Sequence, residues 1–231
     1  MRTFKQLYAL AAKRKGGAAA LETLLPEVKS PAALAKIPDD RWLSAMSKKI
    51  FQAGFNWSVV ESKWPGHEEV FSGFNPKRCA FLSDEEIETM AKDTRIIRNI
   101  AKIAAVRENA VFLNRLAQEH GSAAKFFAGW PDDDLVGLLA LLGKQASRLS
   151  GNTAQIVLRE MGKDSFILTP DVCTVLIQES VVTKKPTSQR DMAAVQAAFN
   201  KWRKESGRPF AHMSRILAFT VESVSKFDSM H

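Results

Sequence analysis

The chain has 231 residues, 33 Lys plus Arg against 25 Asp plus Glu, and a formal net charge of +8. Hydrophobic residues at 45% and charged residues at 25% exclude a wholly disordered chain, and no apolar run reaches the ~18 residues of a membrane-spanning helix. Two cysteines, Cys79 and Cys173, are too few for a disulfide scaffold or a four-thiolate metal site, which fits a reducing cytoplasm. The positive balance favours an anionic partner, nucleic acid being the commonest.

Taken in chain order, the signals are helical. Met1 to Gly17 carries Arg2, Lys5, Lys13, Arg14 and Lys15 without an acid. It reads as a basic amphipathic helix stopped by Gly16-Gly17 rather than as a targeting presequence. Pro38-Asp39-Asp40 opens a helix that runs to Gly54, and Asn56 caps a second, Trp57 to Trp64, which Pro65-Gly66 stops. Ser83 with Glu86 forms a capping box. Ile97, Ile100, Ile103, Ala104, Val111 and Leu116 recur at helical spacing up to His120-Gly121. Pro131 starts another helix, with Asp132, Asp133 and Asp134 in the first turn where the helix dipole favours acids. Later helices are expected over 152–161, 170–180, 188–206 and 209–223. Phe166-Ile167-Leu168 is β-like but too short for a sheet. The sum is an all-α protein of about ten short helices with turn-length connections. Val181 to Thr187 either separates lobes or is an ordinary basic loop.

The most specific stretch lies between Lys48 and Ala110. Gln52-Ala53-Gly54-Phe55-Asn56-Trp57 is followed by Val60 and Lys63, then by Phe71-Ser72-Gly73-Phe74-Asn75-Pro76. Asp93, Ile96-Ile97-Arg98-Asn99, Lys102-Ile103 and Asn109-Ala110 complete it. Gly54 breaks a helix and turns Phe55 and Trp57 around a tight corner. Two aromatics there make a platform or wedge for a nucleic-acid base, or else are core residues at a helix–helix corner. In Leu149-Ser150-Gly151-Asn152-Thr153-Ala154, the glycine permits a tight turn into a helix whose first N–H groups can bind a phosphate. The alternative is a plain interhelical turn. Thr169 then caps a helix with Pro170 first and Asp171 in its opening turn. Lys184, Lys185, Arg190, Lys201, Arg203, Lys204, Arg208 and Arg215 either contact phosphates or form solvated faces.

The run from Gln52 to Ala110 resembles the DNA-3-methyladenine glycosylase I family, whose pattern is Gln-Ala-Gly-Leu-Ser-Trp, then Lys, Phe-Asp-Pro, Ile-Ile-Arg, Lys-Ile and Asn-Ala. The resemblance implies a helix-hairpin-helix DNA glycosylase of two helical lobes with a cleft between them. On this reading residues 41–168 form a central lobe ending in the helix-hairpin-helix, and 1–40 with 169–231 form the second. It implies a monomer without cofactor that flips an alkylated purine from double-stranded DNA and cuts its N-glycosidic bond. Trp57 then stacks on the flipped base, and Phe55, in place of the family's Leu, plugs the gap left in the duplex. The segment around Gly151 resembles the hairpin of the wider superfamily, so that Gly151, Asn152 and Thr153 would contact the DNA backbone. The superfamily's catalytic Asp falls on Asp171, which would stabilise an oxocarbenium-like sugar and direct the attacking water. An alternative register puts the chemically inert Thr169 there. With no Lys placed as a Schiff-base nucleophile just before this segment, a monofunctional hydrolase is expected rather than a lyase.

Two departures stand out. The family has a Glu eight residues before the Trp, in contact with the alkylated base, and here that residue is Lys49. A cation there repels a positively charged purine, while Glu61, one helical turn after Trp57, can bring a carboxylate to the same face. The family also carries a structural zinc held by Cys and His. Cys79, Cys173, His67, His120, His212 and His231 lack the spacing, and no zinc is expected. The competing readings are a catalytically inactive or differently specific helix-hairpin-helix DNA-binding protein, and a helical scaffold for RNA or protein.

Overall fold

The computed structural model describes residues 1–222. Among the described residues the chain forms fourteen α-helices, one short 3-10 turn and no strand. In order they are α1 (Phe4–Arg14), α2 (Ala18–Glu22), α3 (Pro31–Leu34), α4 (Asp39–Gln52), α5 (Trp57–Val70), α6 (Pro76–Cys79) and α7 (Asp84–Met90). There follow α8 (Ile100–His120), α9 (Ala123–Gly129), α10 (Leu135–Gln145), α11 (Asn152–Met161), α12 (Pro170–Gln178), α13 (Gln189–Ser206) and α14 (Phe210–Ala218). The chain divides into two compact units, one of Lys29–Trp130 with Leu138–Lys163, the other of Met1–Val28, Pro131–Gly137 and the described residues from Asp164 on.

In the first of these units α4 is the central helix, burying Trp42, Leu43, Met46, Ile50 and Phe51. Its start is tied to α9, because both Asp39 carboxylate oxygens accept from the first amides of that helix, Ala123 and Ala124, at 3.0 Å each. Trp42 stacks on Phe127 at 4.3 Å between ring centroids. A second aromatic stack runs from His67 through Trp64, 4.9 Å away, to Phe74, a further 5.2 Å. In the other unit the core is built from Phe166, Phe199, Trp202 and Phe210, with Phe166 and Phe199 rings 4.6 Å apart. Asp164 accepts from the Ala211 N–H at the head of α14, with Arg203 3.5 Å away. Burial outweighs these partners and raises the Asp164 pKa.

Several sequence expectations change here. The extra helices are short ones such as α2, α3 and α6, too brief to show a periodicity. Pro65-Gly66 does not stop a helix: α5 continues to Val70. An interior proline costs about 3 kcal/mol or more, which burial of Trp64 and His67 on one continuous helix offsets. Gly66 is needed at this point for a different reason, since a Cβ would meet the Arg95 carbonyl at 2.5 Å. Asp132, Asp133 and Asp134 precede α10 instead of forming its first turn, and Asp134 Oδ1 accepts from the Gly137 N–H at 3.0 Å. On α8 the buried stripe is Ile103, Val106, Ala110 and Leu113, whereas Ile100 and Val111 face solvent. Phe166-Ile167-Leu168 is extended without pairing into a strand. Val181 to Thr187 joins α12 to α13 with both flanks in the same unit, and Val182 and Pro186 are buried. The helix expected over 209–223 ends at Ala218, and Ser223 lies outside the described residues.

Candidate functional site

The corner between α4 and α5 follows from three residues. Gly54 takes a left-handed conformation, φ 69°, which lets the Phe55 N–H return to the Gln52 carbonyl at 3.1 Å. Asn56 then starts α5, its side-chain oxygen accepting from the Ser58 N–H at 3.0 Å. Lys102 holds the end of α4, donating to the carbonyls of Phe51 and Ala53 at 3.0 and 2.7 Å. Burial, and Arg148 nearby, lower the pKa of that ammonium. The result is that Phe55 is 46% exposed and Trp57 half-buried, so Phe55 is not a core residue.

Lys49, only 8% exposed, sits beneath this corner. Its Nζ donates to Gln52 Oε1 at 2.7 Å, pairs with Glu160 Oε1 of α11 at 2.6 Å, and lies 5.0 Å from the Trp57 ring centroid. Gln52 in turn donates to Glu61 Oε1 at 2.8 Å, and Glu61 Oε2 meets Lys48 Nζ at 2.7 Å. A buried ammonium costs several kcal/mol unless it is paired and hydrogen-bonded, which these partners accomplish. Trp57, Lys49 and Glu61 thus share one cluster. Gln52 and Glu160 belong to it too, and were missed. Gln52 was visible only as a motif letter, and nothing in the local pattern around Glu160 links it to Lys49.

The same unit contains the turn between α10 and α11. Gly151 adopts φ 55°, ψ −134°, a combination that glycine alone takes readily. An added Cβ there would meet nothing within 4 Å, so the requirement is conformational rather than steric. Asn152 and Thr153 follow in the first turn of α11, Asn152 exposed and Thr153 half-buried. Arg148 is exposed on the approach to the turn.

Asp171 belongs to the other unit. Thr169 caps α12 by accepting from the Val172 N–H at 3.2 Å, Pro170 takes the first helical position, and Asp171 follows at 2% exposure. The Thr169 hydroxyl therefore has a structural use. Among the basic residues of this unit, Arg203 pairs with Asp132, Arg208 pairs with Glu22 at 2.6 Å, and Arg215 lies over the Phe219 ring. Lys184, Lys185, Arg190, Lys201 and Lys204 are exposed.

Among the described residues no group of three His, Cys, Asp or Glu side chains is arranged to hold a metal ion. His67 is fully buried with both nitrogens engaged, Nδ1 with the Lys63 carbonyl at 2.9 Å and Nε2 with the Ile97 N–H at 3.2 Å. Burial pushes the Cys79 thiol up to about 12. His231 lies outside the described residues. No described helix is long and apolar enough to cross a membrane.

Comparison with known proteins gives this arrangement a context. Over 72 residues the chain is 35% identical to DNA-3-methyladenine glycosylase 1 of Escherichia coli K12, covering 28% of this chain and 38% of that protein. It is 34% identical over 59 residues to the DNA-3-methyladenine glycosylase of Haemophilus influenzae, covering 26% of this chain and 32% of that one. The chain thus spans less than half the length of either curated relative. Among solved structures, a crystal structure of 3-methyladenine DNA glycosylase I aligns with a TM-score of 0.48 and 23% identity, over 60% of this chain and 82% of the other. The sequence pattern of the methyladenine glycosylase family matches residues 35–166, more than half of the chain, and the chain belongs to that family.

Proposed function

We propose that this protein is a monofunctional DNA N-glycosylase that flips an alkylated purine out of double-stranded DNA and hydrolyses its N-glycosidic bond. The observation that carries this is the corner at Gly54, which exposes Phe55 and keeps Trp57 half-buried over a polar cluster. Membership of the family supports it, as do the two curated relatives, which are DNA-3-methyladenine glycosylases. Phe55 enters the gap in the base stack and Trp57 receives the base. Gly151, Asn152 and Thr153 bring the head of α11 to a phosphate, where its free amides and dipole favour an anion. Asp171 stabilises the oxocarbenium-like sugar and orients the water that adds to C1′. The enzyme acts as a monomer, in the cytoplasm, on a substrate attracted by its net charge of +8.

The test is a set of duplexes, each with one defined lesion, incubated with the protein and assayed for abasic sites. Abasic sites at an alkylated purine and none in undamaged duplex are expected. Duplex binding without abasic sites at any lesion would favour a second reading, an inactive or differently specific helix-hairpin-helix DNA-binding protein. The 2% exposure of Asp171 speaks for that alternative, since so buried a carboxylate offers a sugar little surface.

A further inference from the structure

Two ion pairs lie beside Trp57. Glu160 is matched by Lys49 at 2.6 Å and Glu61 by Lys48 at 2.7 Å, while Gln52 links the two pairs through bonds of 2.7 and 2.8 Å. The group that lies 5.0 Å from the Trp57 ring centroid is the ammonium of Lys49. A ring attracts a cation through the negative face of its quadrupole, and Lys49 already draws on that attraction. A second cation brought to the same ring gains less from the quadrupole and is opposed by the Lys49 ammonium, an opposition that the Glu160 carboxylate 2.6 Å from it reduces without abolishing. An uncharged purine carries no such penalty and stacks through dispersion and desolvation.

We infer that the Trp57 site favours uncharged alkylated purines over cationic ones, with Lys49 as the specificity-determining residue and Glu160 as its positioning partner, an inference that rests on the glycosylase reading above and narrows its substrate. The chemistry agrees. A cationic purine leaves as a neutral base without assistance. An uncharged purine departs with the electron pair of the broken C1′–N bond and develops negative charge, which a nearby ammonium stabilises through its field. Water forms the new C1′–O bond, and one of its protons ends on the released base, so atoms and charge balance.

The experiment compares single-turnover release from two duplexes, one carrying the cationic base 3-methyladenine and one the uncharged base ethenoadenine. Wild type is set beside Lys49→Met and beside a double variant, Lys49→Glu with Glu160→Lys, which exchanges the charges while keeping the ion pair. Circular dichroism establishes that each variant is folded. Each rate is divided by release from the same duplex without protein; wild type is expected to accelerate ethenoadenine release more by about tenfold or more, the scale of a modest charge–charge interaction, and the exchanged pair to reverse the order. Lys49→Met is expected to fall between them. Acceleration of 3-methyladenine release by wild type equal to or above that of ethenoadenine would overturn the inference and leave the glycosylase reading standing. Release of neither base, together with no abasic site at any lesion of the wider set, would overturn the glycosylase reading. Discrimination is then read from affinity for the two duplexes, where an equal or tighter grip on 3-methyladenine overturns the inference as well.

Discussion

Asn109 and Ser147 exchange two hydrogen bonds: the buried Asn109 amide nitrogen donates to the Ser147 carbonyl at 3.1 Å, and its oxygen accepts from the Ser147 N–H at 2.8 Å. The turn that leads to Gly151 is therefore hung on α8 by one side chain, and its register depends on that amide. Asn109→Ala leaves both Ser147 groups without these partners and is expected to cost about 2 kcal/mol of stability, read as a lower urea midpoint. Duplex affinity should fall along with it. An unchanged midpoint would mean that the turn is held by other contacts.

Gly151→Val forces a β-branched residue into φ 55°, at a strain of roughly 1–3 kcal/mol. The substitution should weaken binding to every duplex alike, because backbone contacts carry no sequence information. Wild-type affinity should itself fall steeply with salt through counterion release. A selective loss on one sequence, or a flat salt dependence, would remove the turn from the DNA contact.

Phe55 and Trp57 should behave differently on truncation. Trp57→Ala is expected to cost about 1–3 kcal/mol in binding a lesion duplex and little on undamaged DNA, the scale of losing one base–aromatic stack. Phe55→Ala removes a largely exposed side chain, so stability should change by about 0.5 kcal/mol or less. Base flipping, followed by a fluorescent base analogue beside the lesion, should nevertheless slow. Equal effects of the two variants on flipping would dissolve the division into wedge and platform.

Asp171→Asn should lower single-turnover base release by a factor of about 100 or more with duplex binding retained, as expected for loss of a directed transition-state interaction. Thr169→Ala should do the opposite, lowering stability by about 1 kcal/mol through the lost cap while release continues. Wild-type rates in Asp171→Asn would take that carboxylate out of the mechanism.

His67 sets a pH dependence of stability. Burial of its ring outweighs the hydrogen bond to the Lys63 carbonyl, so the fold holds the neutral form and its pKa falls below the usual 6.5. The unfolded chain therefore takes up the proton first. Stability from this group is complete above about pH 6.5 and declines as pH drops from there toward the lower folded value, by at most about 1.4 kcal/mol per pH unit. Urea midpoints of wild type should decrease between about pH 7 and pH 5.5, while those of His67→Gln should stay nearly level. Parallel curves for the two proteins would assign the pH dependence to other groups.

Much of this was legible locally. Asn56, Ser83 and Thr169 cap helices as their sequence context indicates, because a cap depends on residues within one turn. The corner at Gly54 was legible for the same reason. Pro65 misled because the stack of Trp64, His67 and Phe74, which makes it worthwhile for α5 to continue, is a tertiary feature. Lys49 stands out in the sequence as a departure from the family pattern, yet its partner Glu160 lies far along the chain on α11, where helix periodicity predicts only a surface acid. Lys102 was seen as a motif residue without a role, since the carbonyls that it binds become available only once α4 ends.

Among the described residues, Lys63 ends on the main-chain oxygen of Thr94, Lys102 on those of Phe51 and Ala53, and Lys163 on that of Trp130. Each joins segments distant in sequence, so these amines act as cross-braces of the unit that contains α4. An amine-acylating reagent that reaches them should loosen the loops that they close. Lysine-to-arginine exchange at the same places would keep the charge but bring a flat fork to sites that fit a compact ammonium. Variants designed to tune the electrostatics of this protein are therefore best drawn from its solvent-facing cations, leaving these three as part of the frame.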